Sequence, residues 1–322
     1  MDLEDLHSRR EARRRAIRRR RRLTAGLIAA AVAVAVAVIL ATGSGGKSAT
    51  VAQRTASSGS PAAARSAGGT SSPSATNTTA TGGAPGTQPV PILTYHVIAA
   101  PPAGAPFPGL YVTPVEFSAQ VQALKDGGWH AVTLDQLEAY WRRGVPLGPG
   151  KPVVLTFDNG YQSQYTQALP VLRSIGWVAD ENIQLTGLPP SQGGLSRTQV
   201  RGLVNAGWEL DTQGISHADL ITLDAAQLQE QVAVARRIVQ QRYNVPVHWF
   251  CYPSGHYDAT VIAAVKAAGF TGSTTVVSGW ARPQDDPYRL PRLRVLGGTT
   301  PSELLALIAA ARDDPPAPSS YS

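Results

Sequence analysis

Short apolar runs at residues 92–97, 153–157, 208–211 and 247–252 have the length and the β-branched or aromatic content of buried strands. Between them, apolar positions recur at helical spacing over residues 114–125, 134–143, 162–175, 197–206, 224–243, 258–268 and 301–311. Asp224 stands as an N-cap before its segment, and Thr300-Pro301 opens the last one with a capping hydroxyl and a proline whose missing N–H is not needed there. Strand and helix in repeated alternation predict an α/β domain with a parallel sheet, either a barrel or a doubly wound layer.

The chemical focus is the run VVLTFDNGY at residues 153–161. A buried strand that stops at Asp158, Asn159 and Gly160 delivers a carboxylate to the carboxyl end of a parallel sheet, where ligands gather in such folds. Asp158 is therefore a candidate general base, while an isolated Asp-Asn-Gly also reads as a plain turn.

The N-terminal third has a different pattern. Residues 23–42 are uncharged and dominated by Ala and Val. As a helix rising about 1.5 Å per residue they reach across a hydrocarbon core of about 30 Å. Residues 1–22 carry ten arginines against four acids, which predicts a cytoplasmic tail and an extracytoplasmic remainder. An uncleaved signal anchor and a long cleaved signal peptide both fit; the near-spanning length favours the anchor. Residues 43–87 are Gly, Ser, Thr, Ala and Pro with almost no large apolar side chains, the composition of a disordered linker. The folded domain is read at residues 88–312, followed by a loose Pro- and Ser-rich tail at 313–322.

Charge changes the picture little. The chain of 322 residues has a net charge of +7, of which +6 lies in residues 1–22. The remainder balances 19 basic against 18 acidic residues, so no nucleic-acid partner is implied, although the basic tail suits anionic lipid. Cys251 is the only cysteine, so the chain forms no internal disulfide.

Four motifs, PILTYHVI at 91–98, TFDNG at 156–160, GWELDTQGISHADL at 207–220 and FCYPSGHYD at 250–258, stand in an order that resembles the polysaccharide deacetylase family, the NodB-homology domain of carbohydrate esterases. The resemblance covers roughly residues 88–312 and implies a distorted (β/α) barrel. It also implies hydrolysis of acetyl groups on a glycan with a divalent metal, usually zinc, held by one Asp and two His.

Carried onto this sequence, the resemblance puts Asp158 at the base position and Asn159, Gln213 and His217 at the metal-ligand positions, so that one family ligand of three is retained. Neutral amides suit zinc worse than imidazole or carboxylate, and an ordinary zinc site would need Asp211, His96 or another group to move in. Cys251 stands where many members carry an Arg that orients the base. The backbone amide of Ser254 takes the oxyanion position, and Tyr252, Trp280 and His96 are candidates for substrate contact. No His follows His256, so the usual leaving-group acid is missing. The expectation is a membrane-anchored, extracytoplasmic deacetylase-like protein with weak or lost catalysis on acetylated glycan; the alternative is an inactive glycan-binding relative.

Overall fold

The computed structural model describes residues 83–186, 188 and 193–322. The basic tail, the span read at residues 23–42 and the linker up to residue 82 lie outside the described residues. Among the described residues no helix is long and apolar enough to cross a membrane.

The domain opens with β1 (Val90–Tyr95), β2 (Val97–Ile98), β3 (Tyr111–Val112), α1 (Pro114–Asp126), β4 (Trp129–Val132), α2 (Leu134–Arg143) and β5 (Lys151–Asn159). It continues through α3 (Leu169–Ser174), β6 (Asp180–Ile183), α4 (Arg197–Asn205), β7 (Glu209–Thr212), α5 (Ala225–Gln229), α6 (Ala235–Tyr243) and β8 (Trp249–Cys251). The last elements are α7 (Ala259–Ala267), β9 (Gly272–Thr274), β10 (Trp280–Ala281), β11 (Leu293–Arg294) and α8 (Pro301–Ala310).

Local chemistry starts the helices where the sequence places them. Thr113 with Glu116, Thr133 with Gln136, Ser196 with Gln199, Asp224 with Gln227 and Thr300 with Glu303 each form a reciprocal capping box, satisfying two orphan N–H groups per helix. The helix expected over 224–243 is interrupted by a π-helical turn at Glu230–Val234.

β5 is the central strand. It pairs in parallel with β1, with β4 along its first half and with β6 along its second. The parallel ladder continues from β6 through β7, β8 and β9. A parallel bridge from Thr274 to Leu290 then leads into β11, which pairs with β1 on its other edge, so the sheet curls back to its first strand. The result is a parallel-stranded half-barrel; the alternation of elements left a barrel or a doubly wound layer open, and the family resemblance pointed to the former.

The two-residue period of β5 divides its side chains. Val153, Leu155 and Phe157 join Phe117, Val121 and Leu124 of α1 in the outer core, where Phe157 stacks on Tyr95 at 5.6 Å and on Trp208 at 4.9 Å. Val154, Thr156 and Asp158 face the interior. At the base of the barrel Val154 packs with Ile92, Trp249 and with Leu134 and Leu137 of α2, which plugs that end with apolar side chains. Above this plug the interior turns polar, with Thr156, Asp158, Asn182 and Arg292 all buried.

The C-terminal segment 313–322, read as loose, is tied to the domain. Tyr321 exchanges two backbone hydrogen bonds of 2.9 Å with Tyr257, the Tyr257 hydroxyl donates to Pro318 O at 2.8 Å, and Ala317 is buried. Backbone pairing and one inserted methyl outweigh the composition.

Candidate active site

β5 ends in a turn that requires left-handed backbone at two successive residues, Asn159 (φ 81°) and Gly160 (φ 87°). Asn enters this region more readily than most side chains, and Gly does so without penalty. Just before the turn, Asp158 points into the barrel with 2% exposure.

Its carboxylate is fully engaged. Arg292 donates Nη1 to Oδ1 and Nη2 to Oδ2, both at 2.9 Å, Asn182 Nδ2 donates to Oδ1 at 2.9 Å, and Cys251 Sγ approaches Oδ2 at 3.4 Å. Burial pushes the carboxyl upward, but the charge and paired hydrogen bonds of Arg292 outweigh it and hold Asp158 well below the usual carboxylate range. A carboxylate so stabilised is a weak proton acceptor.

Arg292 is the residue that sequence reasoning missed. It approaches from the segment leading into β11, and its remaining donors go to Thr275 O at 2.7 Å, Thr156 Oγ1 at 2.9 Å and Cys251 Sγ at 3.3 Å. The Arg absent at position 251 is thus supplied by the later segment that leads into β11, with Cys251 in contact with both the new Arg and the base. The signal was present in RLPRLRV: an Arg flanked by apolar residues at a strand start needs a buried anion. Burial first, with Asp158 adding to it against Arg292, pushes the Cys251 thiol up to about 12, so it is an unreactive packing group.

Asp158 opens onto a cavity of about 480 Å³ whose inner wall includes His96, Asn159, Gln213, His217 and Ser254. Loops from β1, β5, β7 and β8 therefore meet at one mouth. His96 follows β1 and sets Nε2 at 3.9 Å from Asp158 Oδ2; burial lowers its pKa to about 4 against the pull of Asp158, leaving a neutral ring whose Nδ1 has no partner. His217 has φ 52°, and its loop is clamped by Gln231, whose Oε1 accepts from the N–H groups of Ile215 and Ser216 at 3.1 and 3.0 Å. Burial lowers its pKa, with Asp158 opposing.

The donor set at the ligand positions does not fit an ordinary zinc ion. Asn159 donates its amide Nδ2 to Gln184 Oε1 at 2.7 Å, and Gln184 in turn donates to Thr186 O at 2.8 Å, so the first position is absorbed in an amide chain. Gln213 contributes a neutral Oε1 that is buried without a partner, leaving His217 as the one imidazole. Asp211, considered as a replacement ligand, is not in the cavity lining: its Oδ1 accepts from the N–H groups of Trp249 and His248 at 2.8 and 3.3 Å. Gln184 is a second residue that the motifs did not reveal, since its role depends on β6 lying beside β5.

The remaining residues divide. Ser254 lines the cavity with its backbone at φ 57°, in a turn closed by Gly255 N–H to Tyr252 O at 2.8 Å and His256 N–H to Pro253 O at 3.1 Å. Tyr252 borders the cavity, but its hydroxyl is committed to Tyr288 O at 2.9 Å. Trp280 is not on a loop facing the cavity. It lies in β10, buried against Trp129 with ring centroids 6.0 Å apart, and its indole N–H donates to Ile308 O at 2.8 Å, because β10 pairs with β1 and is covered by α8. The aromatic at the rim is Phe107, 68% exposed and lining the cavity with Leu110, Tyr111, Tyr161 and Arg294.

Comparisons with known proteins agree with this architecture. A family model described as polysaccharide deacetylase matches residues 147–273. The Bacillus subtilis polysaccharide deacetylase-type protein YxkH is 28% identical over 225 residues, covering 69% of this chain and 77% of that protein. A poly-beta-1,6-N-acetyl-D-glucosamine N-deacetylase of Staphylococcus epidermidis is 26% identical over 201 residues, covering 57% of this chain and 68% of that one. The solved structure of the Streptococcus pyogenes deacetylase PplD in complex with acetate superposes with a TM-score of 0.63 and 25% identity, covering 69% of this chain and 99% of that one. With the curled sheet and the Asp158 mouth in place, residues 147–273 match the polysaccharide deacetylase family model, and the folded domain around them resembles the polysaccharide deacetylases.

Proposed function

We propose that this chain is a membrane-anchored, extracytoplasmic deacetylase-like protein that binds acetylated glycan in the Asp158 cavity with hydrolysis weak or lost. The observation that carries the reading is the substitution of neutral amides at Asn159 and Gln213, with the Asn159 side chain engaged by Gln184. A saturated, strongly acidic Asp158 points the same way. The substrate class follows from relatives named for N-acetylglucosamine polymers and from an exposed Phe107 and half-buried Tyr161 lining the cavity, suited to stacking on sugar faces. Extracytoplasmic placement rests on the arginine-rich segment before the apolar run at residues 23–42.

In this cavity the chain's own groups bind and orient. Neutral His96 offers a ring nitrogen beside Asp158, the Ser254 turn faces the same space, and Arg292 fixes the Asp158 carboxylate. The test measures binding of β-1,6-linked N-acetylglucosamine oligomers by calorimetry and acetate release with added zinc. Binding without acetate release is expected, with release appearing in the Asn159→Asp/Gln213→His double variant. Metal-dependent release by the unaltered protein, abolished in Asp158→Ala, would overturn the reading.

A further inference from the structure

A second chemical feature lies outside the lining of the Asp158 cavity, at the starts of β6 and β7. Asp180 and Glu209 are register partners at the first residues of β6 and β7, and Asp211 follows two residues along β7. One carboxylate oxygen of each lies within 4.8 Å of one from each of the others. The three acids are fixed by main chain: Leu134 N–H donates to Asp180 Oδ1 at 2.9 Å, Asp135 N–H to Glu209 Oε2 at 3.0 Å, and Trp249 N–H to Asp211 Oδ1 at 2.8 Å.

The other oxygen of each acid, Asp180 Oδ2, Glu209 Oε1 and Asp211 Oδ2, is buried and has no hydrogen-bond partner. Asp180 and Asp211 are 0% exposed, so water does not satisfy them as it would on a surface. Among the described residues no Lys or Arg forms an ion pair with any of the three. The neighbouring Asp135 is already engaged by His248 Nδ1 at 2.6 Å and Trp249 Nε1 at 3.1 Å. Three anchored carboxylates with orphaned oxygens and no counter-charge describe a cation site.

We propose that Asp180, Glu209 and Asp211 hold a hard divalent cation that joins β6, β7 and the start of α2. An all-carboxylate oxygen set suits a hard cation better than zinc, and calcium accepts irregular geometry where magnesium demands a near-ideal octahedron. The site is independent of the glycan reading and has a stabilising role.

The test uses the full-length protein. Metal content is measured after dialysis against calcium, and melting temperature is followed in EDTA and on addition of CaCl2, MgCl2 or ZnCl2. Expected are one equivalent of calcium and a rise of about 5–10 °C at a hundredfold excess over Kd. Both are lost in Glu209→Gln and in Asp180→Asn and retained in His217→Ala. If one variant fails to fold, the other and the EDTA response of the unaltered protein still decide. Absence of calcium and of any thermal response, with Glu209→Gln more stable than the unaltered protein in EDTA, would mean that the acids only share protons. Calcium lost in His217→Ala but kept in Glu209→Gln would put the ion in the Asp158 cavity and equally overturn the assignment.

Discussion

Arg292→Met tests the central claim that Asp158 is held ionised by one buried guanidinium. The substitution keeps an unbranched apolar side chain but removes both donors to Asp158, together with those to Thr275 O, Thr156 Oγ1 and Cys251 Sγ. Both charges are at most 3% exposed at the side chain, so solvent cannot take over. Breaking a buried pair from one side costs about 3–5 kcal/mol, because the remaining charge is left unpaired. For a domain of this size that corresponds to a melting shift of roughly 6–20 °C.

Urea unfolding followed by tryptophan fluorescence measures the loss. Adding Asp158→Asn to Arg292→Met removes the stranded charge and should recover part of it, giving a coupling of about 2 kcal/mol or more in the double-mutant cycle. The pH dependence reverses in a defined way. In the unaltered protein the Asp158 pKa is depressed, so its contribution is present above the ordinary value of 3.8 and is lost as pH falls through the lower folded value. In Arg292→Met burial dominates and raises the pKa, so stability declines as pH climbs above about 4. A loss below about 1 kcal/mol, or no coupling between the two positions, would refute the reasoning.

Three further outcomes follow from the same geometry. His96 is buried and neutral with a folded pKa of about 4 against 6.5 when free, so its contribution is present above pH 6.5 and is lost as pH falls towards 4. That amounts to about 3 kcal/mol, and His96→Gln should flatten this part of the stability–pH curve. Phe107→Ala should weaken glycan binding by about 1 kcal/mol or more with melting unchanged, whereas Trp280→Ala should cost about 3–5 kcal/mol of stability with affinity unchanged in the folded protein. Deleting residues 317–322 removes the Tyr321–Tyr257 pairing and the buried Ala317, and should lower stability by about 1–3 kcal/mol in a thermal melt.

What could be read from the sequence alone was whatever a single segment encodes. The helices were legible because capping residues and apolar spacing act within one or two turns, as at Thr113 with Glu116 or Thr300 with Glu303. The strand ending at Asp158 was legible because a β-branched run stopped by Asn-Gly is a local signal. By contrast β6, whose residues read Asp-Glu-Asn-Ile, was hidden by polar side chains that are all buried once it lies between β5 and β7. The carboxylate cluster and the Gln184 partner of Asn159 were hidden with it.

Only the curled sheet decided which distant residues meet. Arg292 reaches Asp158 across 134 positions of chain because β11 returns to β1 beside β5, and no periodicity reports such a return. Trp280, placed by its Gly- and Pro-containing surroundings on a loop, went into the core because β10 found an edge of β1 to pair with. Local propensity and capping act over a few residues, whereas pairing of buried charges and strand edges is settled by the whole barrel, where desolvation makes every unmatched group costly.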